Sequence, residues 1–499
     1  MAEPLVCMTL TGKTLDEDLR LIQKYHKQVD LVELRADCLN EDEQLYIKRF
    51  PSLCHLPSIL TIRRNIDGGF FNGGEFSRTN LFARALAFAN PDKRKNFSYV
   101  EFEDDYHVSS IQDAAIAFGV QMIRSYYSIN ENITNLKEKC DSLRRTGYEI
   151  PKVAFLPGNL TDVANVFKEG ESITKYNHII SAIGLQGQPS RILSQKAGNY
   201  LTYVSSTELA PLSADLGLLD LESLLNVYSF RNLAKDTKLF GVSGWPLQKT
   251  QTIEMLNLGF RNRNHNAVSI PLRSPIISDI LYFTDQLGFS GLSITEPLTE
   301  AILFYLSERS PEVDETGTCN TVVRRNNKFA GFNTNIEGFR LALKEFLGDT
   351  KIKRKKVAII GAGGTAKTVA YILYLMGAKV CIFNRTLEHA QLLAERYNFQ
   401  YAGLDAPSAE LLREYSNLII QTTPAGSDNT SEEAKFADPI SFYNFTGNEL
   451  LLDLIYTPSI TPLMKRASLA GCRTANGKRM LEYSIKEQFK LFTGDSYIS

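Results

Sequence analysis

No run of apolar residues in this 499-residue chain reaches membrane-spanning length, and no segment is of low complexity. The seven cysteines (Cys7, Cys38, Cys54, Cys140, Cys319, Cys381 and Cys472) show no C-x-x-C spacing, which argues against a zinc site. Their odd count, with no secretory leader read at the start, predicts reduced thiols, a cytoplasmic location and no disulfide framework. An excess of one charge is also lacking. The formal net charge is −1, which leaves no field for nucleic acid or an anionic membrane. What is present is an ordinary globular composition, 43% hydrophobic and 22% charged. The chain is too long for one core, and roughly two to four domains are expected.

The segment 356–386, KVAIIGAGGTAKTVAYILYLMGAKVCIFNRT, carries the densest signal. Val357 to Ile360 is a short apolar run suited to a strand buried on both faces. Gly361, Ala362, Gly363, Gly364 and Thr365 follow, and Ala366 stands at the third small position of a G-x-G-x-x-G/A fingerprint. The first glycine permits a tight turn, the second lets a backbone approach a pyrophosphate, and the small third residue lets helix pack on strand. A helix over 366–376 then aims free N–H groups and the positive end of its dipole at phosphates. A second strand, 379–383, ends in Asn384-Arg385-Thr386, where an NAD-binding fold often carries an acid for the ribose hydroxyl. A guanidinium there suits a 2′-phosphate and selects NADP. Glycines alone also describe an ordinary turn. The order strand, glycines, helix, strand, arginine is what makes a dinucleotide site.

Short β-rich runs recur in the first half at 5–10, 31–34, 58–62, 98–102, 120–125, 152–156, 178–183 and 200–205, separated by helix-compatible segments. Their periodicity also fits an open parallel sheet. The count of eight selects an α/β chain that begins with a (β/α)8 barrel, closed by a last helix over 221–232. In such a barrel the chemistry gathers at the carboxyl ends of the strands. Here those ends carry Glu33, Arg35, Arg63, the acidic run 101–105, Lys152 and Arg191. Converging Arg35, Arg63 and Arg191 would hold a carboxylate, and a desolvated lysine near other cations can form an imine with a ketone. Taken singly, each residue reads better as half of a surface or rim ion pair. As a set at strand ends they point to a site.

The runs ELRAD at 33–37, T-x-R at 61–63 with DGG at 67–69, PKVA at 151–154, SRI at 190–192 and YLTY at 200–203 occur in this order. In that order they resemble type I 3-dehydroquinate dehydratases. Together with its second half, nearly the whole chain resembles the plant-type bifunctional dehydroquinate dehydratase/shikimate dehydrogenase family. The resemblance implies that Lys152 forms a Schiff base with the ketone of dehydroquinate, with Glu33, Arg35, Arg63 and Arg191 around the substrate. Tyr127 stands where the family has its proton-moving histidine. A phenol with a pKa of about 10 is a poor base near pH 7, whereas imidazole at about 6.5 is well matched. The family's eighth-strand S-A-P-G-Q reads LAPLS at 209–213, which puts Ser213 in place of a glutamine contact. His107, past the fourth strand, is a candidate substitute shuttle, set against a solvated loop histidine.

After a polar connector at 234–238 the order resembles shikimate dehydrogenase. GLSITEP at 291–297 stands for G-x-N-V-T-x-P, GTCNTV at 317–322 for G-A-x-N-T-V, and GFNTN at 331–335 for G-x-N-T-D. DLIYTP at 453–458 matches D-x-x-Y-x-P, and the closing N-G-x-x-M-L falls at 476–481. The resemblance implies substrate contacts from Thr250 and Thr252 (replacing paired serines), Thr295, Asn320 and Tyr456. It adds Thr422, Thr423, Gly477 and Met480 to the cofactor set. The family's catalytic lysine is Thr299 here, its partner aspartate is Asn335, and the glutamine of the last helix is Ser484. Removing both charges together avoids stranding a buried ion, which costs about 3–5 kcal/mol. Loss of a positioned acid or base is worth ~10²–10⁴ in rate.

The expected division is a barrel at 1–233, a substrate-binding domain at 239–335, an NADP-binding Rossmann domain at 336–480, and a C-terminal helix at 481–499 returning to the substrate domain. The expected function lies in the shikimate pathway of aromatic amino acid biosynthesis. It joins dehydration of 3-dehydroquinate to NADPH-dependent reduction of 3-dehydroshikimate, with both catalytic centres partly degenerate. The alternatives are a weak or inactive NADP-binding protein, or a dehydrogenase for a different polar hydroxy acid. The expected partners are small cyclic hydroxy and keto acids, with no metal, and the oligomeric state stays open.

Overall fold

The computed structural model describes residues 3–87, 90–208, 216–247, 251–428 and 431–498. Contacts divide the chain into two compact units, residues 1–238 with 266–274 and 278–288, and residues 239–265 with 275–277 and 289–499.

In the first unit the strands Leu5–Leu10, Leu31–Arg35, Ser58–Thr61, Tyr99–Glu103, Gln121–Ser128, Ile150–Phe155, Ile179–Ala182 and Leu201–Ser205 form one parallel sheet. It curls until the first strand pairs with the eighth, with Leu5 opposite Leu201. Between the seventh and eighth strands Tyr200 N donates to His178 O at 2.8 Å. The Asn199 amide accepts from Ile180 N at 2.8 Å and donates to Ile180 O at 2.9 Å. The alternation of side chains along each strand then stacks the barrel in layers. Cys7, Leu31, Ile59, Ile123, Ile150, Ile179 and Leu201 form an apolar plug. Two residues further along their strands, Thr9, Glu33, Thr61, Ser125, Lys152 and Ser181 form a buried polar layer above it. The helix expected over 221–232 is instead a π turn, Ser223–Val227, and a 3-10 turn, Phe230–Asn232. Ser229, left-handed at φ +51°, breaks the run between them.

In the second unit Lys238–Gly244 pairs parallel with Gly291–Ile294, which pairs antiparallel with Thr321–Arg325. A two-residue turn with positive φ at Asn326 and Asn327 folds that strand back onto Lys328–Phe332, as a hairpin of this twist requires. The remaining strands form a parallel sheet in the order Gln400–Gly403, Lys379–Asn384, Lys356–Ile360, Leu418–Gln421, Leu450–Asp453, Arg473–Asn476. This is the doubly wound 3-2-1-4-5-6 order, whose ligand crevice opens beside its first strand. Val357 and Ile359 pack into one core and Ala358 and Ile360 into another, so the strand is buried on both faces. The following helix is Gly364–Leu375, beginning two residues before the expected start, with Gly363 at its N-cap. The last helix, Lys478–Thr493, stacks Phe489 on Phe260 at 5.5 Å and Phe492 on Phe240 at 4.6 Å.

All seven cysteines are buried and unpaired. Among the described residues no helix is long and apolar enough to cross a membrane, and no cluster of side chains could hold a metal ion.

Asn199 is 4% exposed and bonds both backbone groups of Ile180 at the barrel seam. Each buried group left without a partner costs about 1–3 kcal/mol. Asn199→Ala is therefore expected to lower the denaturation midpoint of the first unit by several degrees, read by thermal melting; an unchanged midpoint contradicts this account of closure.

Candidate active sites

The polar layer of the barrel holds a dense set of compensated charges. Glu33, Arg35, Asp37, Arg63, Glu101, Lys152 and Arg191 are all buried there, four cations against three carboxylates. Lys152 Nζ lies 2.7 Å from Glu101 Oε2 and 3.8 Å from Glu33 Oε1. Glu33 also accepts from Thr9 and Thr61, each at 3.0 Å, and from Arg63 at 3.4 Å. Arg35 is held in a bidentate pair by Asp37, at 2.9 and 2.7 Å. Burial opposes the Glu101 carboxylate, but Lys152 and Arg63 overcome it and hold the group below the usual carboxylate range.

Tyr127 turns inward. Its hydroxyl donates to Glu101 Oε1, and the Arg63 guanidinium lies 4.4 Å above its ring. Burial pushes this phenol well above its ordinary value, so it cannot act as a base near neutrality. Lys152, Arg35, Arg63, Tyr127 and Arg191 line one cavity of about 50 Å³, bounded by described residues. That volume holds about two to four water molecules. Arg191 differs from the other cations. It donates to Leu216 O at 3.2 Å, its Nε has no partner, and no carboxylate pairs with it among the described residues. Burial lowers it to about 10. Ser213 lies outside the described residues. His107 is exposed, with Nδ1 2.9 Å from Arg145, and does not line the cavity.

The second unit contains a cleft of about 860 Å³. Thr252, Thr295, Thr299, Asn320, Asn335, Tyr456 and Ser484 all line it, as do Thr365, Gly477 and Met480 of the expected cofactor set. Thr250 lies outside the described residues. Asn320 Nδ2 donates to Asn335 Oδ1 at 2.9 Å and to Thr334 Oγ1 at 3.0 Å, so two neutral amides occupy the centre. Among the described residues no lysine, arginine or histidine lines the cleft.

Above the doubly wound sheet, Gly361 has φ +111°, and a Cβ on it would meet Thr422 Oγ1 at 2.5 Å. A Cβ on Gly363 would meet nothing within 4 Å, leaving open space over the start of the helix. Ala366 is fully buried in the core beneath. Thr422 is fixed to Ile360 O at 2.7 Å, while Thr423 accepts from Ala425 N at 3.3 Å. Asn384 donates to Thr386 O at 2.8 Å, and Arg385 is exposed at the tip of its strand without an ion-pair partner among the described residues. Ala362 lies between the glycines, half-buried against the same core.

Residues 6–235 match the family described as type I 3-dehydroquinase, residues 242–322 the shikimate dehydrogenase substrate binding domain, and residues 340–435 shikimate/quinate 5-dehydrogenase. The chloroplastic bifunctional 3-dehydroquinate dehydratase/shikimate dehydrogenase of Arabidopsis thaliana is 30% identical, over 98% of this chain and 82% of its own. This chain belongs to the bifunctional 3-dehydroquinate dehydratase/shikimate dehydrogenase family. A shikimate dehydrogenase (NADP(+)) of Carboxydothermus hydrogenoformans is 34% identical, over 52% of this chain and 93% of its own. The solved dehydroquinate dehydratase and shikimate dehydrogenase from S. pombe covers 100% of this chain and 97% of that chain, at 21% identity and a TM-score of 0.42.

Three residues of these sites were not singled out from the sequence of this family member. Glu101 and Tyr203 share the barrel layer, with Lys152 Nζ 4.2 Å above the Tyr203 ring. The signal for both was the two-residue period on their strands. Gln488, one turn beyond Ser484, lines the second cleft and donates to Thr321 Oγ1 at 2.9 Å. A glutamine therefore stands one turn beyond Ser484 on the same helix, where a reading tied to position 484 passes over it.

A buried guanidinium without a carboxylate destabilises an empty site and favours an anion that fills it. Arg191→Met is expected to raise the melting temperature of the ligand-free protein, by about 2–4 °C for each kcal/mol recovered. The same change is expected to abolish the stabilisation that cyclic carboxylates give the wild type. An unchanged ligand-dependent shift in the variant contradicts this role.

Proposed function

We propose that the chain is a bifunctional shikimate-pathway protein, dehydrating 3-dehydroquinate in the barrel and reducing 3-dehydroshikimate to shikimate in the second unit. The observation that carries this reading is that Lys152 and the uncompensated Arg191 line the same buried cavity. A cyclic keto acid supplies both missing parts, a carboxylate for Arg191 and a ketone for the amine. For Lys152 to attack, its ammonium must release a proton and part from Glu101, so Glu101 is the group placed to take that proton. Tyr127 holds Glu101 from the other side and supplies no base of its own. Dehydration is therefore slow, and the barrel is partly degenerate, as is the Thr299 and Asn335 centre of the second unit.

In the second unit Thr252, Thr295, Asn320, Asn335 and Tyr456 offer neutral hydrogen-bonding groups to ring hydroxyls. The residues above the doubly wound sheet fit a dinucleotide, because the glycine turn is open over Gly363 and Arg385 stands exposed at the neighbouring strand tip. Gly361 to Ala366 would hold the pyrophosphate. Asn384, Arg385 and Thr386 would hold a 2′-phosphate, with Thr422 and Thr423 on the adenine side. Bound NADPH supplies the hydride. The division at 1–233, 239–335, 336–480 and 481–499 and a cytoplasmic location belong to the same reading, the latter supported by seven unpaired cysteines.

The test is a turnover assay with purified protein, following dehydroquinate loss and NADP-linked shikimate oxidation separately. Slow dehydration that Lys152→Ala removes is expected. Tyr127→His, which supplies an imidazole and opens space, is expected to raise kcat by about 10²-fold. Folded protein that converts neither ring acid overturns the proposal.

A further inference from the structure

Loss of a lysine and its partner aspartate leaves the second cleft with no obvious donor for the proton that must follow a hydride. Among the described residues, the groups lining it that can carry a proton are Glu254, Glu296, Asp428 and Tyr456. One of them touches the centre. Thr299 Oγ1 lies 2.9 Å from Glu296 Oε1, on the next turn of the same loop and short helix. A Cβ placed on Gly364 would come within 2.3 Å of Glu296 Oε1 and 3.3 Å of Thr299 Oγ1. The carboxyl therefore sits at the junction of three things: the Thr299 hydroxyl, the substrate cleft and the glycine turn that opens the Gly364–Leu375 helix.

We propose that Glu296 is the proton-carrying residue of this cleft, handing its proton through the Thr299 hydroxyl to the oxygen of a bound ring ketone. The proposal rests on the dehydrogenase reading of the second unit. Reduction forms a C–H bond at the carbonyl carbon with hydride from a reduced nicotinamide, which is oxidised. The carbonyl oxygen takes the Thr299 proton, Thr299 takes the carboxylic acid proton of Glu296, and a carboxylate remains. Oxidation of the alcohol runs the same transfers backwards, with the carboxylate as base. The Thr299 hydroxyl must turn from donating to Glu296 to accepting from it, a rotation about one bond.

The surroundings suit a carboxyl that holds its proton. Partial burial raises Glu296 above the usual carboxylate value and the neighbouring Glu300 raises it further, while the Thr299 hydrogen bond and Lys367 act the other way. Lys367, on the glycine-turn helix, is itself paired with Glu300 at 2.7 Å. Glu254 and Asp428 add negative charge to the same cleft, and Tyr456 is neutral, with its phenol raised by burial. Dinucleotide phosphates arriving at the glycine turn disfavour the ionised carboxyl again, so binding draws in a proton and loads the residue for reduction.

The test uses the full chain as wild type, Glu296→Gln and Glu296→Asp, with Tyr456→Phe as a comparison. NADPH affinity is titrated by fluorescence from pH 5.5 to 8.5, and NADP-linked shikimate oxidation is followed over the same range. Wild-type affinity is expected to weaken with rising pH, by up to about tenfold per unit for one linked proton, beyond the 2′-phosphate ionisation common to all variants. Glu296→Gln is expected to bind at least as tightly as wild type, to lose that extra dependence, and to drop about 10²–10³-fold in kcat without its rising limb in pH. Glu296→Asp is expected to restore part of both. The proposal is overturned if Glu296→Gln keeps the wild-type pH dependence of binding, or if it keeps kcat within threefold. If the wild type binds NADPH but does not oxidise shikimate, the substrate reading fails while the binding comparison still decides the role of Glu296.

Discussion

An ammonium removed from water needs a carboxylate beside it, and Lys152 meets that need with Glu101 at 2.7 Å. The rest of the barrel site is arranged around this pair. Glu101 in turn holds the Tyr127 hydroxyl, which brings the Tyr127 ring under Arg63. Glu33 collects Thr9, Thr61 and Arg63, and Asp37 closes on Arg35. Of these cations Arg191 is left without a carboxylate among the described residues. A small cavity is the result, in which Lys152 stays paired until its carboxylate is drawn away and Arg191 stays without one.

The two units solve the same problem in opposite ways. In the barrel, charge is kept and compensated internally, so a ligand must compete with ion pairs already made. In the second cleft no cation is found among the described lining residues, and neutral amides and hydroxyls stand at Asn320, Asn335 and Thr299. A ligand there meets no ion pair among the described residues, and the proposed proton carrier is the carboxyl beside Thr299. An unpaired buried ion is the most expensive outcome open to either site, and in the barrel it is confined to Arg191 among the cations described above.

Much of this was legible in the amino-acid order. Eight short β runs, the strand–glycine–helix–strand at 356–384 and the strand-end positions of Lys152 and Arg191 could be read because local periodicity and spacing carry them, while Thr299 and Asn335 were found only through the family resemblance. The helix start at Gly364 was set two residues late, since a glycine in the first helical turn reads locally as turn and not as helix. The pairing of Arg35 with Asp37 and of Lys152 with Glu101 was not legible. Taken singly each cation already reads as half of an ion pair, but only the curl of the sheet decides which carboxylate it meets. Glu296 was passed over for a related reason. It fills a variable place in its motif, and its importance comes from Gly364, which is remote in sequence.

Whether Lys152 can be drawn from Glu101 by a ring keto acid decides between an active barrel and an inert one. Borohydride reduction of the protein mixed with dehydroquinate, followed by intact-mass and peptide analysis, measures this directly. One reduced adduct per chain is expected, placed on Lys152 and weakened when Arg191 is replaced by methionine. No adduct on folded protein, or an adduct that persists in Lys152→Ala, would contradict the role given to this lysine.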